Sequence, residues 1–140
     1  MQIVVDANPV VSILISPGRP INLFFVEELD IIAPELLFRE IERNKDDILR
    51  KSGLGEDEMR RFLDILKGRI RVIPEKEFIG CREKAVSICP DEKDVAYFAL
   101  ALHVRCPLWS NEKKLKEQKD VAVFSTHELI ALFDFAQERT

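Results

Sequence analysis

The chain has 140 residues, the length of one domain, of which 46% are hydrophobic and 33% are charged. This composition is typical of a folded globular protein and excludes a disordered one. Its 21 basic and 25 acidic residues leave a formal net charge of −4 at pH 7, whereas proteins that bind nucleic acid by bulk electrostatics are usually positively charged. Contacts with nucleic acid would therefore require local basic patches or metal ions that neutralise acidic groups.

The sequence carries no sign of export or of a membrane span. The N-terminus reaches Asp6 after a short apolar run and has no basic region, unlike a signal peptide. The longest apolar stretches, such as residues 95–102, are far shorter than the roughly 20 residues that cross a bilayer. Three cysteines without a CxxC pair indicate a reducing compartment. We therefore expect a cytoplasmic protein with no membrane contact.

The first half of the chain alternates short apolar runs with segments of helical period. The apolar runs are typical of parallel strands buried on both faces. Pro34 is suited to the start of a helix and Gly53 to the residue after its end. We predict strands at 3–5 and 29–33, helices at 8–15 and 34–51, and a turn at 16–20.

The second half continues this alternation and ends in a helix that opens with a capping box, Ser125 and Glu128. We predict strands at 70–73, 108–109 and 121–124, and helices at 56–67, 77–88, 91–104 and from 125 onward. The apolar stripe of the last helix consists of Leu129, Leu132, Phe133 and Ala136. Such alternation predicts an α/β fold, a three-layer α/β/α sandwich with a mainly parallel sheet of about five strands. We expect residues 1–140 to form a single domain.

Polar residues at the carboxyl ends of the strands are candidate site residues, because ligands of open parallel sheets bind there. Asp6 directly follows the first strand, and Ser110, Asn111 and Glu112 follow the strand that contains Trp109. Each acid can also be explained as a cap or first-turn residue of the element that follows it. Taken one at a time, these acids leave both interpretations open.

The helix predicted at 34–51 contributes a further acid. An apolar stripe through Leu37 and Ile41 puts Asn44 near its centre and Glu40 at its edge. Charged groups rarely enter a buried face unless they are paired or metal-bound, so an inward-leaning Glu40 favours a site. A surface ion pair with a neighbouring basic residue is the alternative.

Asp91 and Asp94 both lie in the first turn of the most apolar helix. Acids in that turn offset the helix dipole, by about 0.3–1 kcal/mol. Asp94 lies four residues before Phe98, on the side that turns inward, whereas Asp91 has the position of a cap. We therefore interpret Asp94 as the functional member of the pair.

Four carboxylates, those of Asp6, Glu40, Asp94 and Glu112, are thus predicted to meet at one edge of the sheet. Carboxylates held close together repel each other unless they are protonated or bridged by a cation. Oxygen-only clusters suit Mg²⁺ or Mn²⁺, which can activate a bound water and stabilise charge on a phosphoryl oxygen. The reaction that fits is hydrolysis of a phosphodiester, with the four acids as catalytic and metal-binding residues.

Four segments resemble the PIN-domain family of metal-dependent ribonucleases, many of which are VapC-type toxins of toxin–antitoxin pairs. They are VVDAN at 4–8, PELL at 34–37 followed by EI at 40–41, DEKD at 91–94 followed by ALAL at 99–102, and LWSNE at 108–112. The resemblance implies about five parallel strands and one or two Mg²⁺ or Mn²⁺ ions. It gives Asp6, Glu40 and Asp94 the positions of the three principal acids, and Glu112 that of a fourth, which is more commonly aspartate.

The resemblance also implies surroundings and partners for these acids. Asn8, Asp91, Ser110 and Asn111 are expected around them, where they would orient acids or water. The implied substrate is RNA, cut internally to leave a 5′-phosphate, and the implied partners are an antitoxin protein and a second copy of the chain. The basic segments 60–71 and 113–119 are candidate RNA contacts, although each can equally be a solvated helix face.

Two other functions stay open from the sequence. A module of this fold can bind RNA or protein with little or no catalysis, which Glu112 and the acidic net charge favour. A phosphatase with Asp6 as nucleophile is less well supported, because Asn8 stands where the usual second aspartate would be and no phosphate-binding glycine loop follows a strand. A zinc site at Cys89, His103 and Cys106 lacks a fourth ligand.

Overall fold

The computed structural model of the protein describes residues 1–133. Its strands are β1 (Gln2–Val5), β2 (Asp30–Pro34), β3 (Ile70–Ile73), β4 (Leu108–Trp109) and β5 (Val123–Phe124). Its α-helices are α1 (Ala7–Ile15), α2 (Leu36–Arg43), α3 (Lys45–Ser52), α4 (Glu56–Lys67), α5 (Glu75–Phe78), α6 (Arg82–Ile88), α7 (Val95–Val104) and α8 (Thr126–Phe133). Short 3₁₀ helices lie at Arg19–Phe25, Ile79–Cys81, Glu92–Asp94 and Lys113–Glu117. Ala136, the last member of the predicted apolar stripe, lies outside the described residues.

The five strands form one sheet in the order β3-β2-β1-β4-β5, and every neighbouring pair is parallel. Helices α1–α4 contact one another, whereas α5 and α6 pack with α7, which lies against β1, β2 and β4. The predicted three-layer α/β/α sandwich is therefore confirmed, and the sheet is entirely parallel. Ile3, Val4 and Val5 are fully buried, as expected of a central strand covered on both faces.

The predicted helix over 34–51 is wrong in its length, because it is two helices that meet at Asn44. The Asn44 backbone leaves the helical region (φ −98°, ψ 9°), and its side-chain amide donates to the Glu40 carbonyl at 2.8 Å. Side chains of this kind compete with the backbone for hydrogen bonds, which disfavours a helix interior. Asn44 is consequently exposed and does not lie in the buried stripe. The predicted end of the helix at Gly53 is confirmed, and Gly53 has the left-handed conformation typical of the residue after a helix (φ 76°).

Other boundaries also differ from the predictions. The helix expected at 77–88 is interrupted by a 3₁₀ turn that contains Gly80, a residue about 1 kcal/mol less favourable than Ala in a helix. A 3₁₀ helix at Arg19–Phe25, which begins within the predicted turn at 16–20, was not predicted from the sequence. Leu132 is exposed, so it does not belong to the buried stripe of α8. Within residues 1–133, no helix is long and apolar enough to cross a membrane.

Candidate metal centre

The central strands place the candidate site at their carboxyl ends. β1 and β4 are neighbours, so Asp6 after β1 and Ser110 after β4 lie side by side at one edge of the sheet. The 3₁₀ turn Glu92–Asp94 brings Asp94 to the same edge at the start of α7. A cleft of about 250 Å³ opens there. Its lining includes Asp6, Asn8, Glu40, Asn44, Asp47, Lys93, Asp94 and Glu112.

Three of the four predicted acids form a tight cluster in this cleft. One carboxyl oxygen each from Asp6, Asp94 and Glu112 lies within 4.8 Å of the others. Asp6 and Asp94 are only 4% and 3% exposed, and Glu112 is partly buried. We call these three residues the acid triad. Among the described residues, no other group of three or more acidic, His or Cys side chains lies close enough to share an ion.

Asp6 acts as a helix cap and as a member of the acid triad. Its Oδ1 accepts a hydrogen bond from the Ala7 backbone N–H at 2.7 Å, which caps α1. Its Oδ2 accepts one from the Ser110 hydroxyl at 2.8 Å, and that bond is buried. The two interpretations that the sequence left open for Asp6 are therefore compatible, because each carboxyl oxygen has its own donor.

Ser110 connects the loop after β4 to the rest of the site. Its hydroxyl donates to Asp6 and accepts from the Glu112 backbone N–H at 3.2 Å and from the Asn8 side-chain amide at 3.3 Å. Asn8 Oδ1 accepts from the Asn111 N–H at 3.1 Å, and Asn111 Oδ1 accepts from the Thr126 N–H at 2.8 Å. Ser110, Asn8 and Asn111 thus lie around the acid triad, where they fix the backbone that carries Glu112.

Burial and mutual repulsion disfavour negative charge in the acid triad. Desolvation, only partly offset by the Ser110 and Ala7 hydrogen bonds, raises the pKa of Asp6 to about 6. Desolvation, together with the charges of Asp6 and Glu112, raises the pKa of Asp94 to about 8. Asp94 Oδ2 is buried and has no hydrogen-bond partner among the described residues. A buried, unpartnered oxygen among oxygen ligands is suited to a hard divalent cation, so these residues fit a metal centre.

The fourth predicted acid, Glu40, lines the same cleft from α2 but does not belong to the acid triad. Within residues 1–133 it forms no salt bridge with a basic neighbour, and its Oε1 accepts a short hydrogen bond from the hydroxyl of Tyr97. Tyr97 is fully buried on α7. Desolvation, together with the hydrogen bond to Glu40 and its charge, raises the pKa of Tyr97 well above its usual range. Tyr97 therefore holds one carboxyl oxygen of Glu40, a residue that lines the cleft.

Tyr97→Phe is expected to lower the rate of any reaction in this cleft while leaving the substrate KM nearly unchanged. The substitution removes only the hydroxyl, so Glu40 loses the donor that fixes its position. Losing a hydrogen bond that orients a site residue costs roughly 10-fold or more in activity. Steady-state kinetics with Tyr97→Phe test this expectation, and circular dichroism verifies the fold. An unchanged rate would show that Tyr97 only fills the core.

Asp91 lies beside the cleft rather than in it. Its Oδ1 accepts from the Lys93 backbone N–H at 3.2 Å, which caps the 3₁₀ turn. Its Oδ2 lies 3.9 Å from Lys93 Nζ and 3.7 Å from Lys114 Nζ. Asp91 thus has the position of a cap, as expected, and is not among the residues that line the cleft of the acid triad.

Tyr97 and Lys93 are neighbours of the acids that the sequence alone did not reveal. Tyr97 lies in a helix that is buried almost all round, so its residue pattern is that of core. Lys93 Nζ lies 3.9 Å from Glu112 Oε1, and Lys93 lines the cleft. Its place between Asp91 and Asp94 in the sequence was a usable signal, because a cation beside predicted acids is a candidate site residue.

Comparisons with known proteins agree with this fold. A chain in the crystal structure of VapBC2 from Rickettsia felis bound to a DNA fragment from their promoter is similar, with a TM-score of 0.66 and 16% sequence identity. The similarity covers 89% of this chain and 98% of that chain. No curated protein sequence matches significantly. The family model described as PIN domain matches residues 4–129, which include every residue of the acid triad. The chain therefore belongs to the PIN-domain family.

Proposed function

We propose that this protein is a Mg²⁺- or Mn²⁺-dependent endoribonuclease that hydrolyses RNA phosphodiesters. The observation that carries this proposal is the acid triad, whose three carboxyl oxygens lie within 4.8 Å of one another at the carboxyl edge of the sheet. Its buried members gain from a cation, because each carries a pKa well above the usual value for aspartate. Membership of the PIN-domain family supports the same reaction class.

Asp6, Asp94 and Glu112 would hold the ion, and Ser110 would orient Asp6. When bound, a divalent ion supplies Lewis acidity, a water of lowered pKa and stabilisation of charge on the phosphoryl oxygens. Glu40 lines the same cleft, and its second carboxyl oxygen, which the Tyr97 bond does not use, would accept the proton of an attacking water. The water oxygen would then form a bond to phosphorus as the bond to the 3′ oxygen breaks. The 3′ oxygen would take a proton from solvent water and leave as the 3′-hydroxyl, while Glu40 returns its proton to solvent. The 5′-phosphate remains on the other fragment.

The biological role that we propose is that of a VapC-type toxin, working in the cytoplasm as a single domain. One solved structure that resembles this chain is of VapBC2, which supports an antitoxin as partner. A homodimer is also proposed, because PIN-domain proteins often dimerise. Exposed large apolar side chains in the described chain, including those of Phe25, Ile79 and Val86, support this proposal, because apolar surface is often covered at protein–protein contacts.

The test is cleavage of a mixed RNA pool by the purified protein in Mn²⁺, in Mg²⁺ and in EDTA, with Asp94→Asn purified in parallel to expose contaminating nuclease. We expect metal-dependent cutting by the wild type alone. Equal cutting by both samples would mean contamination. Binding of RNA and metal without cutting would favour the module without catalysis. A phosphoenzyme would instead support the phosphatase, although two hydrogen bonds already occupy the Asp6 carboxylate.

A further inference from the structure

A second cleft, of about 530 Å³, lies next to the cleft of the acid triad. Glu40 and Lys93 line both clefts, so the two share a wall. We call the larger one the side cleft. It lies between α2, the start of α6 and the 3₁₀ turn Glu92–Asp94. A polymer held at the acid triad therefore has the side cleft directly beside it.

Three basic side chains line the side cleft, namely Arg43, Arg82 and Lys93. Glu40 and Arg43 are three residues apart on α2, so the helix presents them on one face. Arg82 begins α6, and both arginines are exposed. Within residues 1–133, neither arginine has a carboxylate partner within salt-bridge distance.

Two of the three carboxylates that also line the side cleft are engaged by other groups. Asp91 lies within 3.9 Å of the ammonium groups of Lys93 and Lys114. Glu40 accepts from Tyr97. Glu92 is exposed on the turn. None of these three carboxylates lies within salt-bridge distance of Arg43 or Arg82 in the described chain, so the two guanidinium groups are free to bind an anion from outside the chain.

The basic segments 60–71 and 113–119, which were candidate RNA contacts from the sequence, are less suited to binding an anion beside the acid triad. In the segment 60–71, Arg60 pairs with Asp57 at 3.0 Å and Arg71 with Asp30 at 2.7 Å. Arg71 lies in β3 opposite Ile32 in β2, and Asp30 opens β2, so this pair lies toward the amino ends of the strands, away from the acid triad. In the segment 113–119, Lys116 pairs with Glu128 at 2.6 Å.

We propose that Arg43 and Arg82 bind the phosphate backbone of the RNA strand beside the bond that the acid triad cleaves. This inference rests on the proposed function. A chain with net charge −4 and clustered carboxylates repels a polyanion, so cations next to the cleft are needed to hold it. Arginine is suited to this role because its planar guanidinium can donate two hydrogen bonds to one phosphate. The side cleft is thus a backbone-binding subsite, while the acid triad is the place of reaction.

The test compares two double variants that remove the same charge. Arg43→Gln/Arg82→Gln alters the side cleft. Arg19→Gln/Arg39→Gln is the matched control, because both residues are exposed, lie outside both clefts and both basic segments, and have no ion pair within the described residues. Lys93 is left unchanged because it also contacts Glu112. Affinity is measured by fluorescence anisotropy of a short labelled single-stranded RNA in EDTA, over a range of salt concentrations.

The side-cleft variant is expected to bind RNA roughly tenfold or more weakly than the wild type. The slope of the logarithm of the binding constant against the logarithm of the salt concentration should become less steep by about 1.4, because two phosphate contacts are lost. The control variant is expected to stay within about twofold of the wild type. Equal losses in both variants, or no binding by the wild type, would overturn the assignment of the side cleft even if the protein cleaves RNA. If only the side-cleft variant loses RNA affinity and the wild type does not cleave RNA, the side cleft is upheld as an RNA-binding site and the proposed nuclease activity is refuted.

Discussion

Asp94→Asn is expected to abolish RNA cleavage and to make the metal-free protein more stable. Asp94 belongs to the acid triad, so its loss should cost more than the roughly 10–100-fold typical of a residue that only supports a ligand. The same carboxylate is nearly fully buried, and one of its oxygens has no partner in the described chain. An amide of the same shape removes that buried charge. Cleavage assays and thermal melts in EDTA measure the two effects.

The gain in stability should depend on pH. The pKa of Asp94 is about 8 in the folded protein, against an ordinary value of 3.8. Between these values the folded state binds more protons than the unfolded state, so the stability of the metal-free wild type falls as pH rises. Asparagine does not titrate, so the stability of Asp94→Asn should not show the part of this decline that Asp94 causes. We expect the free energy of unfolding of Asp94→Asn to exceed that of the wild type by on the order of a few kcal/mol at pH 8, and this difference should shrink toward pH 4.

Asp64→Asn is the matched control, because Asp64 is exposed on α4 and lies outside both clefts. It should leave cleavage and the pH dependence of stability within experimental error of the wild type. A variant Asp94→Asn that is less stable than the wild type at pH 8 would refute the picture of an electrostatically unfavourable site. That result would instead assign Asp94 a structural hydrogen-bonding role.

The sequence was sufficient to predict the sheet and the acids at its edge. The apolar runs at β1 and β2 are buried, as their residues indicate, and the positions after β1 and β4 are fixed by the parallel topology. Asp6 and Glu112 follow from this logic directly. Asp94 follows because the most apolar helix begins beside it, which leaves a short acidic turn at the same edge.

Side-chain partners across the fold were harder to predict. Glu40 was correctly placed at the edge of a buried face, but its partner Tyr97 is far along the chain and has the pattern of a core residue. Arg43 and Arg82 are separated in sequence and form no local basic run, so only the tertiary fold brings them to one cleft. Asn44 was misplaced because its side chain bonds to the backbone and ends the helix there.

Glu112→Gln is expected to remove the stabilisation that Mn²⁺ gives to the wild type. Metal that binds only the folded state stabilises it by about 2.7 kcal/mol at 100 times its Kd, or roughly 8 °C in Tm for a chain of this length. Glu112 supplies one of the three clustered oxygens. Thermal melts with and without Mn²⁺ measure the shift directly.

The Mn²⁺ shift should also be larger at pH 8 than at pH 6, because bound metal requires ionised carboxylates. The pKa values of Asp6 and Asp94, about 6 and about 8, mean that protons compete with the ion throughout this interval. Glu117→Gln is the control, since Glu117 is exposed and outside both clefts, and it should keep the full shift at either pH. A full shift in Glu112→Gln would mean that Glu112 is not a ligand and that Asp6 and Asp94 hold the ion without it. A shift that does not grow with pH would contradict ionisation of the buried aspartates on binding.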